Sequence, residues 1–249
     1  MHKQEPIFSL NLMSDSQHQE LIRYTYNFQF EDGSTKVFDV LLDPKTYELR
    51  ASPNPNLPEW TKLKFHQCEN CPLADDVPHC PVAVNLSHLI EEFKFNQSTD
   101  NAFVVVDGPD RSYVKETSVQ KGLSSIMGII MVTSNCPVLD TMRPMVRFHL
   151  PFATSLETTY RTITMYLMTQ FIEMKKGGSP DWKLEKLVHT YKEIAKVNKG
   201  MWNRLSNAAK LDANVNALII LNSFVDALRH SVKTGLDEIS KMFGSSHSK

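Results

Sequence analysis

Tyr24, Tyr26, Phe28 and Phe30 alternate with Thr25, Asn27 and Gln29, a period of two that reads as a half-buried strand. Glu31-Asp32-Gly33-Ser34 follows, and its Asp-Gly pair favours a tight hairpin turn. Phe38, Val40 and Leu42 alternate on the return strand, so a small antiparallel sheet opens the fold. Tyr47 to Arg50 reads as a third strand, stopped by Pro53, Pro55 and Pro58.

Further along, apolar residues at 82, 86, 89, 90 and 93 form the stripe of a short helix. Phe103 to Val106 is a buried strand type that ends at Asp107-Gly108-Pro109-Asp110, with Ser112 to Lys115 placed to pair with it. Ser118 to Val132 is helical in pattern but carries Gly122, Ser124, Ser125 and Gly128. Glycine weakens a helix, while small residues permit close approach to a neighbour or ligand. Arg143 to Phe152 has two prolines and an alternation at Met145, Phe148 and Leu150, which predicts an irregular strand.

From Thr154 the chain turns helical. Thr154 with Glu157 fits a capping box ahead of the stripe Leu156, Tyr160, Ile163, Leu167 and Met174. Gly177-Gly178 ends that helix, and Ser179-Pro180 predicts the start of the next, with Leu184, Leu187, Tyr191 and Ile194 on its apolar face. A last helix is expected from about Asn214 to Met242, kinked at Gly235. Strands first and helices last predict an α+β fold: a small antiparallel sheet with packed helices, followed by a helical C-terminal segment. The expected units are a flexible tail over 1–19, an α+β domain over 20–178 and a helical segment over 179–249.

At 41% hydrophobic and 22% charged, the chain has the balance of a folded protein with a core. Its net charge of -1 gives no basic footprint for nucleic acid. No stretch approaches the ~20 apolar residues of a membrane span, and residues 1–19 hold no apolar signal-peptide run, so a cytoplasmic location is expected. There, clustered cysteines are more often metal ligands or redox groups than disulfides.

The four cysteines are Cys68, Cys71, Cys80 and Cys136. Three of them, with His66 and His79, fall within one 15-residue window, and a tetrahedral zinc site needs four nitrogen or sulfur ligands. Cys136, His66 or His79 is the expected fourth ligand. Cys71, Cys80 and Cys136 are each followed by proline, a pattern also found beside iron–sulfur ligands, so a [4Fe–4S] cluster is the alternative cofactor. Without an HExxH or H-x-E partner, a structural zinc in a binding or regulatory module is the leading expectation. The alternatives are an iron–sulfur redox or sensor protein and a zinc-dependent hydrolase with an open coordination position.

A second constellation is Arg143, Arg147 and His149, which share one face if their segment is extended. They predict a site for a small anion, carboxylate or phosphate, joined by Arg111, Lys115 and backbone N–H groups of the helix opening near Ser118. Tyr160, Arg161 and Tyr166 read as packing and surface residues. A homodimer through the C-terminal helices is the expected macromolecular partner.

The strings His66-x-Cys68-x-x-Cys71-Pro72-Leu73 to His79-Cys80-Pro81, Gly122-Leu123-Ser124-Ser125, Ser134-x-Cys136-Pro137 and Arg143-Pro144-Met145-x-Arg147-Phe148-His149-Leu150-Pro151 resemble those of an uncharacterised family of bacterial proteins. The resemblance spans roughly residues 24–175. It implies that the four cysteines and the Arg/His segment belong to one unit, and it carries no activity.

Overall fold

The aromatic alternation forms the centre of a four-stranded antiparallel sheet. The computed structural model describes residues 20–50, 56–208, 210 and 212–244, so the expected tail and the prolines at 53 and 55 lie outside the described residues. Strand β1 (Ile22–Gln29) pairs with β2 (Thr35–Leu42), which sets Tyr24 opposite Val40 and Tyr26 opposite Phe38. The turn between them closes with Phe30 N–H on the Ser34 carbonyl at 2.9 Å, and Gly33 takes the positive φ of 82° that the turn requires. Strand β3 (Asn101–Asp107) lies on the other side of β1, and β4 (Ser112–Ser118) pairs with β3, giving the order β2-β1-β3-β4. One face buries Tyr24, Tyr26, Phe28, Val40, Val104 and Val106, while Val37, Phe103 and Val114 stand exposed on the other.

Helix α1 (Pro81–Glu92) connects the hairpin β1–β2 to β3, with Pro81 at its first position. Helix α2 (Val119–Thr133) follows β4 directly and is the central element, covered by the sheet on one side. Its small residues mark the contacts. A Cβ at Gly122 would run into the Phe28 ring, Ser125 Oγ lies 3.1 Å from the Tyr26 hydroxyl, and Gly128 faces Leu221. Helix α3 (Ser155–Lys175) opens with the capping box that Thr154 and Glu157 predict. Helix α4 (Glu185–Ala208) and helix α5 (Ala213–Lys233) complete the helical layer, with α5 packed against α2, α3 and α4. The hydrophobic core runs without a break from the sheet through α2 to Leu187, Met201, Leu218 and Val225. Among the described residues, no helix is long and apolar enough to cross a membrane.

Local structure departs from expectation in four places. Tyr47 to Arg50 makes only a single bridge, Leu49 to Leu42, because Asp43 folds the chain back by accepting from the N–H groups of Lys45 and Thr46. Helix α4 starts at Glu185 rather than at Ser179-Pro180, since the Asp181 carboxylate accepts from the N–H groups of Glu185 and Lys186. The last helix is broken, not kinked. Gly235 and Leu236 both have positive φ, and a short helix α6 (Asp237–Met242) resumes beyond them. The fourth departure bears on function. Asp140–Phe148 is a 3-10 helix, not a strand, with Pro144 inside it.

Candidate functional site

The 3-10 segment and the turn after it, ending at Ala153, carry the chain from α2 to α3 across one end of the sheet. Two tyrosines of β1 hold it there. The Tyr24 hydroxyl donates to the Val146 carbonyl at 2.9 Å, and the Tyr26 hydroxyl meets His149 Nε2 at 2.5 Å. The Tyr24 ring also stands edge-on to the His149 imidazole, centroids 5.3 Å apart. From α3, Arg161 Nη2 donates to the Phe148 carbonyl at 2.6 Å and the Met145 carbonyl at 3.3 Å.

These contacts enclose a cleft of about 330 Å³, lined by Tyr24, Gly108, Pro109, Asp110, Arg111, Tyr113, Arg147, Phe148, His149, Leu150 and Arg161. Three arginines face one carboxylate. Asp110 is engaged by Arg147 at 3.2 Å, so Arg111 and Arg161 leave the cleft electropositive. Arg161 forms no ion pair among the described residues, and desolvation draws its pKa below the usual arginine value.

Burial and then the Arg161 charge push the His149 imidazole down to about 3. It is therefore neutral near pH 7 and offers a hydrogen-bonding nitrogen rather than a charge. Tyr26 stays a phenol, its pKa raised by complete burial, and its hydroxyl links His149 to Ser125 of α2.

Behind the cleft lies a second space of about 190 Å³, between α2, the 3-10 segment, α3, α4 and α5. Its walls are mostly apolar, including Ile129, Met131, Leu139, Met142, Ile194, Phe224 and Val225. His149, Leu150 and Arg161 line both spaces, so cleft and cavity meet at these side chains. Asn198 of α4 also lines the cavity and is 5% exposed.

Of the residues expected to bind an anion, Arg147 and His149 line the cleft together with Arg111. Arg143 lines neither space. Residues four apart share a face in a strand but diverge by about a third of a turn in a 3-10 helix. Arg143 is accordingly turned to Asp140, Asn135 (2.8 Å) and Glu48 (3.4 Å). Lys115 and the first turn of α2 do not line the cleft.

The metal expectation is overturned. Among the described residues, no group of three or more His, Cys, Asp or Glu side chains is placed to hold a metal ion. The thiols of Cys68, Cys71, Cys80 and Cys136 are all free and lie within electrostatic reach of one another, but they do not close around a common point. Cys68, His66 and His79 make other contacts. Cys68 Sγ packs on Gly200 of α4 and donates to the Val197 carbonyl at 3.9 Å. His66 Nε2 meets Asn207 at 3.2 Å, and His79 Nδ1 meets Thr61 Oγ1 at 2.9 Å. Burial, with a smaller contribution from Cys80, pushes the Cys68 thiol up to about 12, which disfavours the thiolate a metal requires. Structural zinc, a [4Fe–4S] cluster and zinc-dependent hydrolysis therefore have no support in these residues. The resemblance built on a cysteine metal cluster is corrected with them.

Sequence reading missed Arg161, Tyr24, Tyr26, Tyr113 and Asn198. Arg161 sits four residues after Glu157, the spacing of an ordinary surface pair on a helix, yet Glu157 is committed to the Thr154 cap. That prior commitment is the one signal that could have singled out Arg161. It also missed Arg204 of α4, which is 1% exposed and donates to the carbonyls of Trp60, Lys62 and Leu63 at 2.6 to 2.7 Å.

Residues 24–244 match a protein family described as "Domain of unknown function (DUF6901)". No curated protein and no solved structure matches the chain. The matched span takes in β1, the whole 3-10 segment and helices α3 to α5, so every residue of the cleft and the cavity falls within it.

Proposed function

The chain belongs to the DUF6901 family, and from its own side chains we propose that it binds a small anion, a carboxylate or phosphate, in the cleft of Arg111, Arg147 and Arg161. One observation carries this reading. Arg161 is a largely desolvated guanidinium and, among the described residues, has only Nη2 engaged, by carbonyls, and no carboxylate against it. A cation withdrawn from water costs free energy unless an anion compensates it. The guanidinium fork suits the planar pair of oxygens that a carboxylate or phosphate presents. Tyr113 and the neutral His149 add hydrogen-bonding groups without adding charge.

Thermal melts test this directly. Acetate or inorganic phosphate should raise Tm relative to chloride at equal ionic strength, by the equivalent of about 2.7 kcal/mol at a hundredfold excess over Kd. Arg161→Met should abolish the rise. An equal rise in that variant would refute the site.

Two further readings belong with this one. The four unpaired thiols support a cytoplasmic location. Exposed Trp202 on α4 and Ile219 on α5 support the pairing of two copies through the C-terminal helices. Ile219→Glu should then shift a dimer to monomer in light scattering, and a wild type already monomeric would refute that pairing.

A further inference from the structure

The geometry points to an amphipathic ligand: an anion whose head lies in the arginine cleft and whose apolar part fills the cavity behind it. The inference rests on the anion-binding reading above and names the class of ligand.

The cavity is argued from three observations. First, it shares His149, Leu150 and Arg161 with the cleft, so the two spaces adjoin at these three side chains. Second, its walls come from four helices and the 3-10 segment and are mostly hydrocarbon, as in sites that take an apolar group and fix it with a few polar ones. Third, Asn198 of α4 lines it, a polar side chain set among hydrocarbon walls where it can meet a polar atom of the ligand.

The volume sets the size of the tail. A protein cavity of about 150 Å³ holds benzene, so about 190 Å³ accommodates a moiety on the order of six to eight carbons. The ligand class is therefore a carboxylate or phosphate carrying a medium-length alkyl or single-ring aryl group. A bare inorganic anion leaves the space empty.

The experiment is a calorimetric series on the full chain with acetate, octanoate, inorganic phosphate, octyl phosphate and octanol. Octanoate should bind at least ~100-fold more tightly than acetate, because several methylenes leave water. Comparing octyl phosphate with octanoate identifies the head group. In Gly128→Leu, where the new side chain enters the cavity from α2, the advantage of octanoate over acetate should collapse. Val225→Phe, on α5, serves as the second variant if the first fails to fold.

Octanoate and acetate binding equally overturns the amphipathic class and leaves the anion site standing. Octanol matching octanoate overturns the joining of head to tail. No binding by any of the anions overturns the cleft reading itself, and this inference with it.

Discussion

His149 shows how one residue reports its surroundings through protons. Its folded pKa of about 3 lies well below the ordinary histidine value near 6.5. Between those values the unfolded chain holds the proton and the folded chain does not, so stability falls as pH drops from about 6.5 toward 3. The limiting slope for one such group is about 1.4 kcal/mol per pH unit. His149→Gln should flatten the loss of Tm between pH 6.5 and 4.5 by a few degrees, checked by calorimetry across that range. An identical profile in the variant would show that His149 titrates normally. The cleft was partly legible at this scale. Arg147 and His149 stood out as cationic and proton-active residues in a short string, and both line the cleft. Arg161 did not stand out, because a helix arginine four residues from a glutamate looks solvated until that glutamate is seen committed to its cap. The histidines and cysteines misled because ligand chemistry at close spacing says nothing about where other elements direct each side chain. Gly200 and Val197 of α4 draw Cys68 away, and neither is visible from a string 130 residues earlier.

Helix α2 meets the sheet at a glycine, and that contact is testable at the scale of the element. Alanine is the better helix former by ~1 kcal/mol, yet a Cβ at residue 122 would strike the Phe28 ring. Gly122→Ala should destabilise the protein by about 1–3 kcal/mol in urea melts, and adding Phe28→Leu should recover part of that. Gain of stability in the single variant would mean that α2 can lift from the sheet at little cost. Elements were legible where a periodicity had a clear start and stop. The aromatic alternation, the Asp-Gly turn and the Thr154 capping box each stated their geometry locally, and each formed. Legibility failed where one side chain redirected the backbone. Asp181 moved the start of α4 by about five residues, and Asp43 turned the expected third strand into a loop. Arg143 to Phe152 reads as an irregular strand, but the placement of this stretch is tied to Tyr24 and Tyr26, distant in sequence and invisible to any window.

At the scale of the whole molecule, Arg204 ties the helical layer to the segment that precedes α1. Its guanidinium spans three carbonyls in the interior, and Arg204→Met would leave all three without their donor. The expected loss is about 3 kcal/mol or more, read as a lower urea midpoint with an unchanged m-value. A loss below 1 kcal/mol would show those carbonyls rehydrated. The strand order carries a different consequence, for how the chain is made. Tyr26 of β1 is paired with Val106 of β3, about 80 residues later, although its hairpin partner β2 emerges immediately. At ~5–20 residues per second, the ribosome needs roughly 4–16 s to deliver that second neighbour. During synthesis the nascent hairpin therefore presents an open strand edge and an uncovered aromatic face, the kind of surface that chaperones recognise before the rest of the chain arrives.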